Sequence, residues 1–412
     1  MFTKLDRTKV FRDPIYGYIK VDYLLISKLI DTVEVQRLRR IRQLSGVSMV
    51  FQTAEHTRFT HALGAYQMAN MVLENVDGAD TISEYEKLLF LCCALLHDIG
   101  HGPYSHAFES VMNISHEDMT AILITSKESN VNKVLCSVSD TLAQDIASVI
   151  LHKGKFTLIE SLVSSQLDVD RMDYLSRDAY FTGATYGVID KERLLRSMLI
   201  KDNKVYLRAS GVHSIESYIM SRYHMYWQVY FHPTARAYEV ILESIYKRIK
   251  DLSEAGIRVD AEVSSLLNVL DNNMNIIDYI NLDDAYVNGF VKQLTNSKDI
   301  ILNKLSNDFM NRKLFKYIDL NKETDLDELL KIDGFKNKEN SRYFYYETSI
   351  TSGAYLQSNS NLKQDINEIT ILLPNKETLP LEEYSPIIKG LISTSLKKST
   401  RIFYCEDEIW KI

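Results

Sequence analysis

The chain has 412 residues and a mass of 47.6 kDa, and its 45% apolar and 25% charged content excludes a disordered or fibrous protein over most of the length. With 48 Lys and Arg against 55 Asp and Glu the net charge is −7, which argues against a sequence-independent nucleic-acid binder and obliges any anionic substrate to find a local basic pocket. Gly (15) and Pro (6) fall well below their usual joint share of about 12%, which favours helices.

The four cysteines, Cys92, Cys93, Cys136 and Cys405, show neither metal-finger spacing nor a disulfide framework. Met1 to Val10 lacks the apolar stretch of a secretory signal. The longest apolar run, Leu88 to Leu96, is too short to span a bilayer. A reduced, soluble, cytoplasmic protein without a membrane or nucleic-acid partner is expected.

In chain order, Asp13-Pro14-Ile15-Tyr16-Gly17 predicts a turn between extended pieces at Lys9–Phe11 and Tyr18–Val21. Leu25, Leu29, Val33, Leu38 and Ile41 recur at helical spacing and predict helix over 24–44. Helices are predicted at 61–76 and 83–97. Ser83 and Glu86 form a capping-box signature for the second, and Gly100 is placed to stop it in the left-handed conformation. Further helical patterns cover 103–112, 116–126, 140–151, 158–180 and 211–252, with a break near His232 ahead of Pro233. Val205–Leu207 reads as a strand. Beyond 255 the texture turns to Asn, Asp and Lys, followed by strand-like pieces at Tyr343–Ile350, Glu368–Leu373 and Arg401–Cys405. The division expected is a segment at 1–50, a helical core at 51–254 and a smaller α+β lobe at 255–412, in a mainly α fold. That lobe carries no motif, and a role in oligomer contacts or in covering the site is expected for it.

Six of the ten His lie between positions 56 and 116: His56, His61, His97, His101, His106 and His116. The spacing puts His97 and His101 on one side of a helix end with Asp98 beside them. Imidazole and carboxylate together suit a divalent metal, but one pair cannot fill a coordination sphere. His61, in Arg58-Phe59-Thr60-His61, and the acids of Asp168-Val169-Asp170-Arg171-Met172-Asp173-Tyr174 are the suppliers at hand. Acids inside an apolar helical segment need a partner, because an unpaired buried carboxylate is costly.

Arg58…His61, His97-Asp98-Ile99-Gly100-His101-Gly102-Pro103-Tyr104-Ser105-His106 and the 168–174 string resemble the HD-domain metallophosphohydrolases. More narrowly they are similar to the deoxynucleoside triphosphate triphosphohydrolase branch, over roughly residues 5–240. The resemblance implies an HD-domain helical core with His61, His97, Asp98 and Asp170 as metal ligands. It implies catalytic roles for His101, His106, Glu109 and His116, Glu109 standing where relatives have Asp. Arg58, Arg171 and Arg222 match phosphate-contacting positions. Arg171 replaces a Lys of the animal enzyme with a forked cation. Gln43, Tyr174, Asp178 and Tyr230 match positions around the sugar, where a tight Tyr would exclude a 2′-hydroxyl. After Tyr230 the chain departs from the animal enzyme with Phe231-His232.

Lys9, Val10, Asp31, Gln36 and Arg39 match residues that hold an activating guanine nucleotide, GTP or dGTP, between subunits of a dimer or tetramer. The competing reading of the run Arg37-Leu38-Arg39-Arg40-Ile41-Arg42 is a solvated basic helix face.

The activity implied is metal-dependent hydrolysis of deoxynucleoside triphosphates to deoxynucleoside and inorganic triphosphate, with one divalent ion that the ligand set leaves open among Mn, Mg, Fe, Ni and Zn. Two alternatives stay open: an HD-type phosphohydrolase acting on a monophosphate, cyclic nucleotide or alarmone, and a nucleotide-sensing module with an idle site. Outside this set, His152 is read as a helix C-terminal residue and His213 and His224 as makers of core hydrogen bonds. His56 is read as either a phosphate contact or a loop hydrogen bond. The cluster Tyr218, Tyr223, Tyr226, Trp227 and Tyr230 is read mostly as packing or interface, with Tyr230 alone given a site role by the resemblance.

Overall fold

The turn at Asp13 closes an antiparallel hairpin of β1 (Lys4–Asp13) and β2 (Gly17–Tyr23). The Asp13 carboxylate accepts from Ile15 N at 2.8 Å and Tyr16 N at 3.1 Å, and Gly17 takes φ +72°, which a Cβ would resist. This computed structural model describes residues 3–112, 114–271, 274–320, 340–351, 369–393 and 398–406.

The helix expected over 24–44 is broken. Leu24–Ile30 and Val33–Arg37 are separate helices, followed by a 3₁₀ turn at Leu38–Arg40. Thr32 is extended and its hydroxyl donates to Leu29 O at 2.7 Å, so the chain turns there instead of continuing the ladder. The predicted 61–76 helix starts earlier, at Arg58–Asn75, and packs against Glu84–Leu96, whose Ser83–Glu86 capping box forms as expected. Gly100 does not adopt the left-handed conformation. Its small size serves another end: a Cβ there would lie 2.3 Å from His116 O and from Thr120 N, so only glycine lets the loop after Leu96 lie on helix His116–Thr125.

The 158–180 pattern also splits, into Thr157–Val163 and Val169–Thr182. Asp168 is the reason. Its carboxylate accepts from Arg171 N at 2.6 Å and Ser165 N at 2.7 Å, making it the N-cap of the second helix. That helix packs across Arg58–Asn75. The 211–252 stretch breaks as expected at His232: Val212–Met225 runs through a π-helical turn at Tyr226–Tyr230, and Pro233 opens helix Pro233–Glu254.

Helix 103–112 is shorter than expected, at His106–Met112, because Tyr104 and Ser105 before it have φ +54° and +39°. Two successive non-glycine residues in that region are strained, and such strain persists where surrounding contacts fix it. Here Tyr104 N donates to Asp284 Oδ1 at 2.9 Å and the Ser105 hydroxyl takes Arg58. Helices Ile276–Asn281 and Asp284–Leu294 bring these contacts to the back of the 98–105 loop. Tyr279 OH donates to Gly100 O at 2.5 Å, and the fully buried Arg37 reaches Leu282 O at 2.8 Å and Ile99 O at 3.3 Å. Arg37 therefore is no part of a solvated basic face.

β3 (Met198–Lys201), β4 (Lys204–Arg208), β7 (Thr370–Leu372) and β8 (Thr378–Pro380) form one sheet, with β4 and β7 parallel. β5 (Lys316–Asp319), β9 (Lys398–Tyr404) and β6 (Tyr345–Thr351) form another, in the order β5-β9-β6. The strand expected from Tyr343 starts two residues later, after a helical turn at Ser341–Phe344, and Glu368 lies outside the described residues. The fold is mainly α, as expected. Buried apolar side chains including Val35, Phe90, Tyr104, Tyr246, Phe290 and Phe403 belong to one core cluster. Among the described residues no helix is long and apolar enough to cross a membrane.

Candidate metal centre and surrounding cleft

Three backbone segments meet at one point. Helix Arg58–Asn75 supplies His61 from its first turn, the end of Glu84–Leu96 supplies His97 and Asp98, and Val169–Thr182 supplies Asp170. His61 Nε2 lies 3.2 Å from His97 Nε2, 3.1 Å from Asp170 Oδ1 and 3.7 Å from Asp98 Oδ2. His97 Nε2 lies 3.4 Å from Asp98 Oδ1 and 3.5 Å from Asp170 Oδ1. All four expected ligands are thus gathered.

The tautomers follow from the other ring nitrogens. His61 Nδ1 donates to Asp173 Oδ2 at 2.8 Å and His97 Nδ1 donates to Ala94 O at 3.0 Å. Each Nε2 faces the other and the carboxylate oxygens. Burial opposes a charged His61, but hydrogen bonds and charge from Asp170 and Asp173 raise it to about 10, so a metal ion would enter by displacing Nε2 protons. Two imidazoles with two carboxylates at one point suit a divalent cation. Burial penalises the Asp170 carboxylate, but hydrogen bonds and charge from His61 and His97 hold it below the usual range. Burial likewise opposes the Asp98 charge, and His97 and Arg58 outweigh it.

A second cluster adjoins the first. Asp98 Oδ1 lies 3.2 Å from His101 Nε2. His101 stacks on His116 with ring centroids 3.8 Å apart, and Glu109 Oε1 accepts from His116 Nδ1 at 2.8 Å while lying 3.4 Å from His101 Nδ1. Burial, Arg58 and His116 push His101 down to about 4. Burial also works against a charged His116, but the Glu109 hydrogen bond and nearby acids raise it above its ordinary value. His106 opens its helix, and its side chain lies outside what the structure describes.

Of the expected phosphate cations, Arg58 is buried with Nη1 2.5 Å from Asp98 Oδ2 and Nε and Nη2 on Ser105 Oγ at 3.0 and 2.8 Å. Arg171 Nη1 pairs with Asp168 Oδ2 at 2.9 Å, and Arg222 Nη1 donates to Gln166 Oε1 at 2.5 Å. Tyr174 packs near His61 and Tyr230, with centroids 6.4 and 6.1 Å apart. Asp178 is held on both oxygens, by His56 Nε2 at 2.7 Å and Tyr230 OH at 2.8 Å. His56 was thus left ambiguous by the sequence and proves to be buried against Asp178. Gln43 Oε1 and His56 Nδ1 are buried without a hydrogen-bond partner among the described residues.

Of the expected activator residues, Lys9 and Val10 lie on β1, Asp31 caps the end of helix Leu24–Ile30, Gln36 is in helix Val33–Arg37 and Arg39 is in the 3₁₀ turn Leu38–Arg40. Lys9 Nζ pairs with Asp31 at 3.0 Å, Val10 is exposed, Gln36 Nε2 donates to Ile30 O, and Arg39 donates to Gln36 Oε1 at 2.8 Å while lying over the Phe59 ring. His213 makes no core hydrogen bond: its side chain is 92% exposed and pairs with Glu216, because it sits on the outer face of its helix. His224 does pack in an aromatic setting, against Tyr186 and Tyr223.

The sequence reading missed Asp173 as a partner of His61, with Arg177, Asp13 and Tyr16 behind it, and it missed Asp284 behind the metal loop. The i, i+4 spacing of Asp173 and Arg177 was the one local signal available.

Comparison with known proteins agrees with this picture. A family model described as HD domain matches residues 58–178, and one described as HD associated region matches residues 189–411. The uncharacterized protein YwfO of Bacillus subtilis is 38% identical over 98% of this chain and 94% of its own. A Dictyostelium discoideum protein named as a deoxynucleoside triphosphate triphosphohydrolase SAMHD1 homolog is 27% identical over 76% of this chain and 60% of its own. The crystal structure of a phosphohydrolase from Bacteroides thetaiotaomicron superposes with a TM-score of 0.83 at 28% identity, covering 97% of this chain and 100% of that one.

Proposed function

The chain belongs to the HD-domain phosphohydrolase family, and from that premise we propose that it hydrolyses deoxynucleoside triphosphates to deoxynucleoside and inorganic triphosphate. The observation that supports the metal requirement is the convergence of the Nε2 atoms of His61 and His97 on the carboxylates of Asp98 and Asp170. These four residues would hold one divalent ion, which when bound supplies Lewis acidity and a nucleophile at neutral pH.

The remaining steps belong to side chains. Water adds at the α-phosphorus, the bond from that phosphorus to the 5′ oxygen breaks, and the oxygen leaves with a proton. His116, whose pKa the Glu109 hydrogen bond raises against burial, is the candidate donor, with His101 stacked on it and His106 the third candidate. Arg58, Arg171 and Arg222 stabilise charge on the phosphates in a site whose net field would otherwise repel them. Tyr174, Asp178 and Tyr230 orient the sugar. The buried, unpartnered Gln43 Oε1 and His56 Nδ1 beside Asp178 leave hydrogen-bonding capacity for a ligand. A guanine nucleotide at Lys9, Val10, Asp31, Gln36 and Arg39, shared between subunits of a dimer or tetramer, is the activator that the resemblance supplies, and the SAMHD1-named relatives support a nucleotide substrate.

The test is a substrate panel on the full chain with Mg²⁺ or Mn²⁺, with and without GTP or dGTP. Release of inorganic triphosphate from dNTPs is expected. A preference for a nucleoside monophosphate, cyclic nucleotide or alarmone would replace this substrate class with another, and binding of dNTPs without turnover under any metal would overturn catalysis.

A further inference from the structure

The Asp173 carboxylate is completely buried, and four donors converge on it. Oδ2 accepts from His61 Nδ1 at 2.8 Å and Arg177 Nε at 2.9 Å. Oδ1 accepts from Arg177 Nη2 at 2.9 Å and Tyr16 OH at 2.8 Å. An ionised carboxylate has about four lone-pair sites, so this group has no freedom to turn. The Arg177 guanidinium, itself fully buried, spends its remaining arm on Asp13 Oδ2 at 2.7 Å. The other oxygen of Asp13 holds the backbone of the β1–β2 turn through Ile15 N and Tyr16 N. Gly64 keeps the space open, since a Cβ there would fall 2.0 Å from Asp173 Oδ1 and 2.2 Å from Arg177 Nη2.

An unbroken chain of charge-assisted bonds therefore runs from the N-terminal hairpin turn to the ring of His61, by two routes: Asp13–Arg177–Asp173 and Tyr16–Asp173. Partners of this kind fix ring orientation and tautomer, and their loss typically costs about 10–100-fold in metal affinity. We propose that Asp13 and Tyr16 are positioning residues that aim His61 at the metal, so that the hairpin turn is a structural part of the metal centre. This rests on the metal-dependent reading above.

The experiment is Co²⁺ titration of the metal-stripped full chain, followed by the visible absorption of the bound ion and by competition with a chelator. It compares wild type with Asp13→Asn, Tyr16→Phe and Thr8→Ala. Thr8 bonds Asp22 across the same hairpin but touches no member of the chain to His61, so it reports on hairpin stability alone. Asp13→Asn and Tyr16→Phe should each weaken Co²⁺ binding by about 10-fold and alter the absorption band, with Thr8→Ala at the wild-type values. Wild-type affinity and spectrum in both relay variants, with His61→Ala unable to bind, would overturn this inference and leave the proposed function standing. If the wild-type chain binds no divalent ion, both fall together.

Discussion

The Nε2 atoms of His61 and His97 stand 3.2 Å apart, each with its Nδ1 proton already committed to an oxygen. A divalent ion between them would take the place of the Nε2 protons and meet the carboxylates of Asp170 and Asp98 as well. Binding of a divalent ion should therefore stabilise the fold as well as activate it. At one hundred times its dissociation constant, the ion is expected to raise the free energy of unfolding by about 2.7 kcal/mol. Calorimetry or denaturant melts with and without metal measure this, and His97→Ala or Asp170→Asn should remove most of the increment.

His116 is held above its ordinary value by Glu109 against the opposing effect of burial. A proton donor with a raised pKa stays loaded to higher pH, so the alkaline limb of kcat against pH should lie above the ordinary histidine value. Glu109→Gln takes away the charge that raises it. The limb should then move to lower pH, with a fall in kcat within the 10²–10⁴-fold range typical of general-acid loss. An unmoved limb would assign the proton to another group.

Asp284 binds two backbone donors of the catalytic half, Arg42 N at 3.0 Å and Tyr104 N at 2.9 Å. Asp284→Ala strands both, at about 1–3 kcal/mol each where they are buried, and a loss of about 3 kcal/mol is expected in denaturant melts. Burial also pushes this carboxyl up to about 6 despite those bonds. The native state then holds the proton more tightly than the unfolded chain, so this contribution is fully present below the unfolded value and is lost as pH rises through about 6. The stability difference between wild type and Asp284→Asn should shrink or reverse across that window.

Gly100→Ala tests close approach without removing any polar group. The added methyl meets His116 O and Thr120 N, both backbone atoms that cannot swing aside. Overpacking of this kind costs about 1–3 kcal/mol, and the displaced 98–105 loop should lower metal affinity as well. Equal metal affinity in Gly100→Ala would show that the loop tolerates the shift.

Much of the candidate centre was legible because its expected ligands sit in three short strings with distinctive neighbours: His61 follows Arg58 at the start of a helix. His97-Asp98 precedes a glycine-rich turn, and Asp170 lies in a helix whose apolar positions make its charge conspicuous. What escaped was the support behind those ligands. Asp13 and Tyr16 meet Asp173 and Arg177 across more than 150 residues, and Asp284 meets Tyr104 across 180, distances over which no periodicity carries a signal. Gly100 was assigned the wrong use because glycine serves left-handed turns and close packing alike. The two long helical readings, 24–44 and 158–180, failed where Thr32 and Asp168 hydrogen-bond the backbone locally and break a ladder that apolar spacing alone would continue.

The clasp that Tyr279 and Asp284 place on Gly100 and Tyr104 has a consequence for biosynthesis. A nascent polypeptide emerging as far as Glu254 already carries all four candidate ligands, yet the loop that follows two of them still lacks these two bonds. They can form only after some thirty further residues have been added, so the candidate centre gains its last supports late in synthesis.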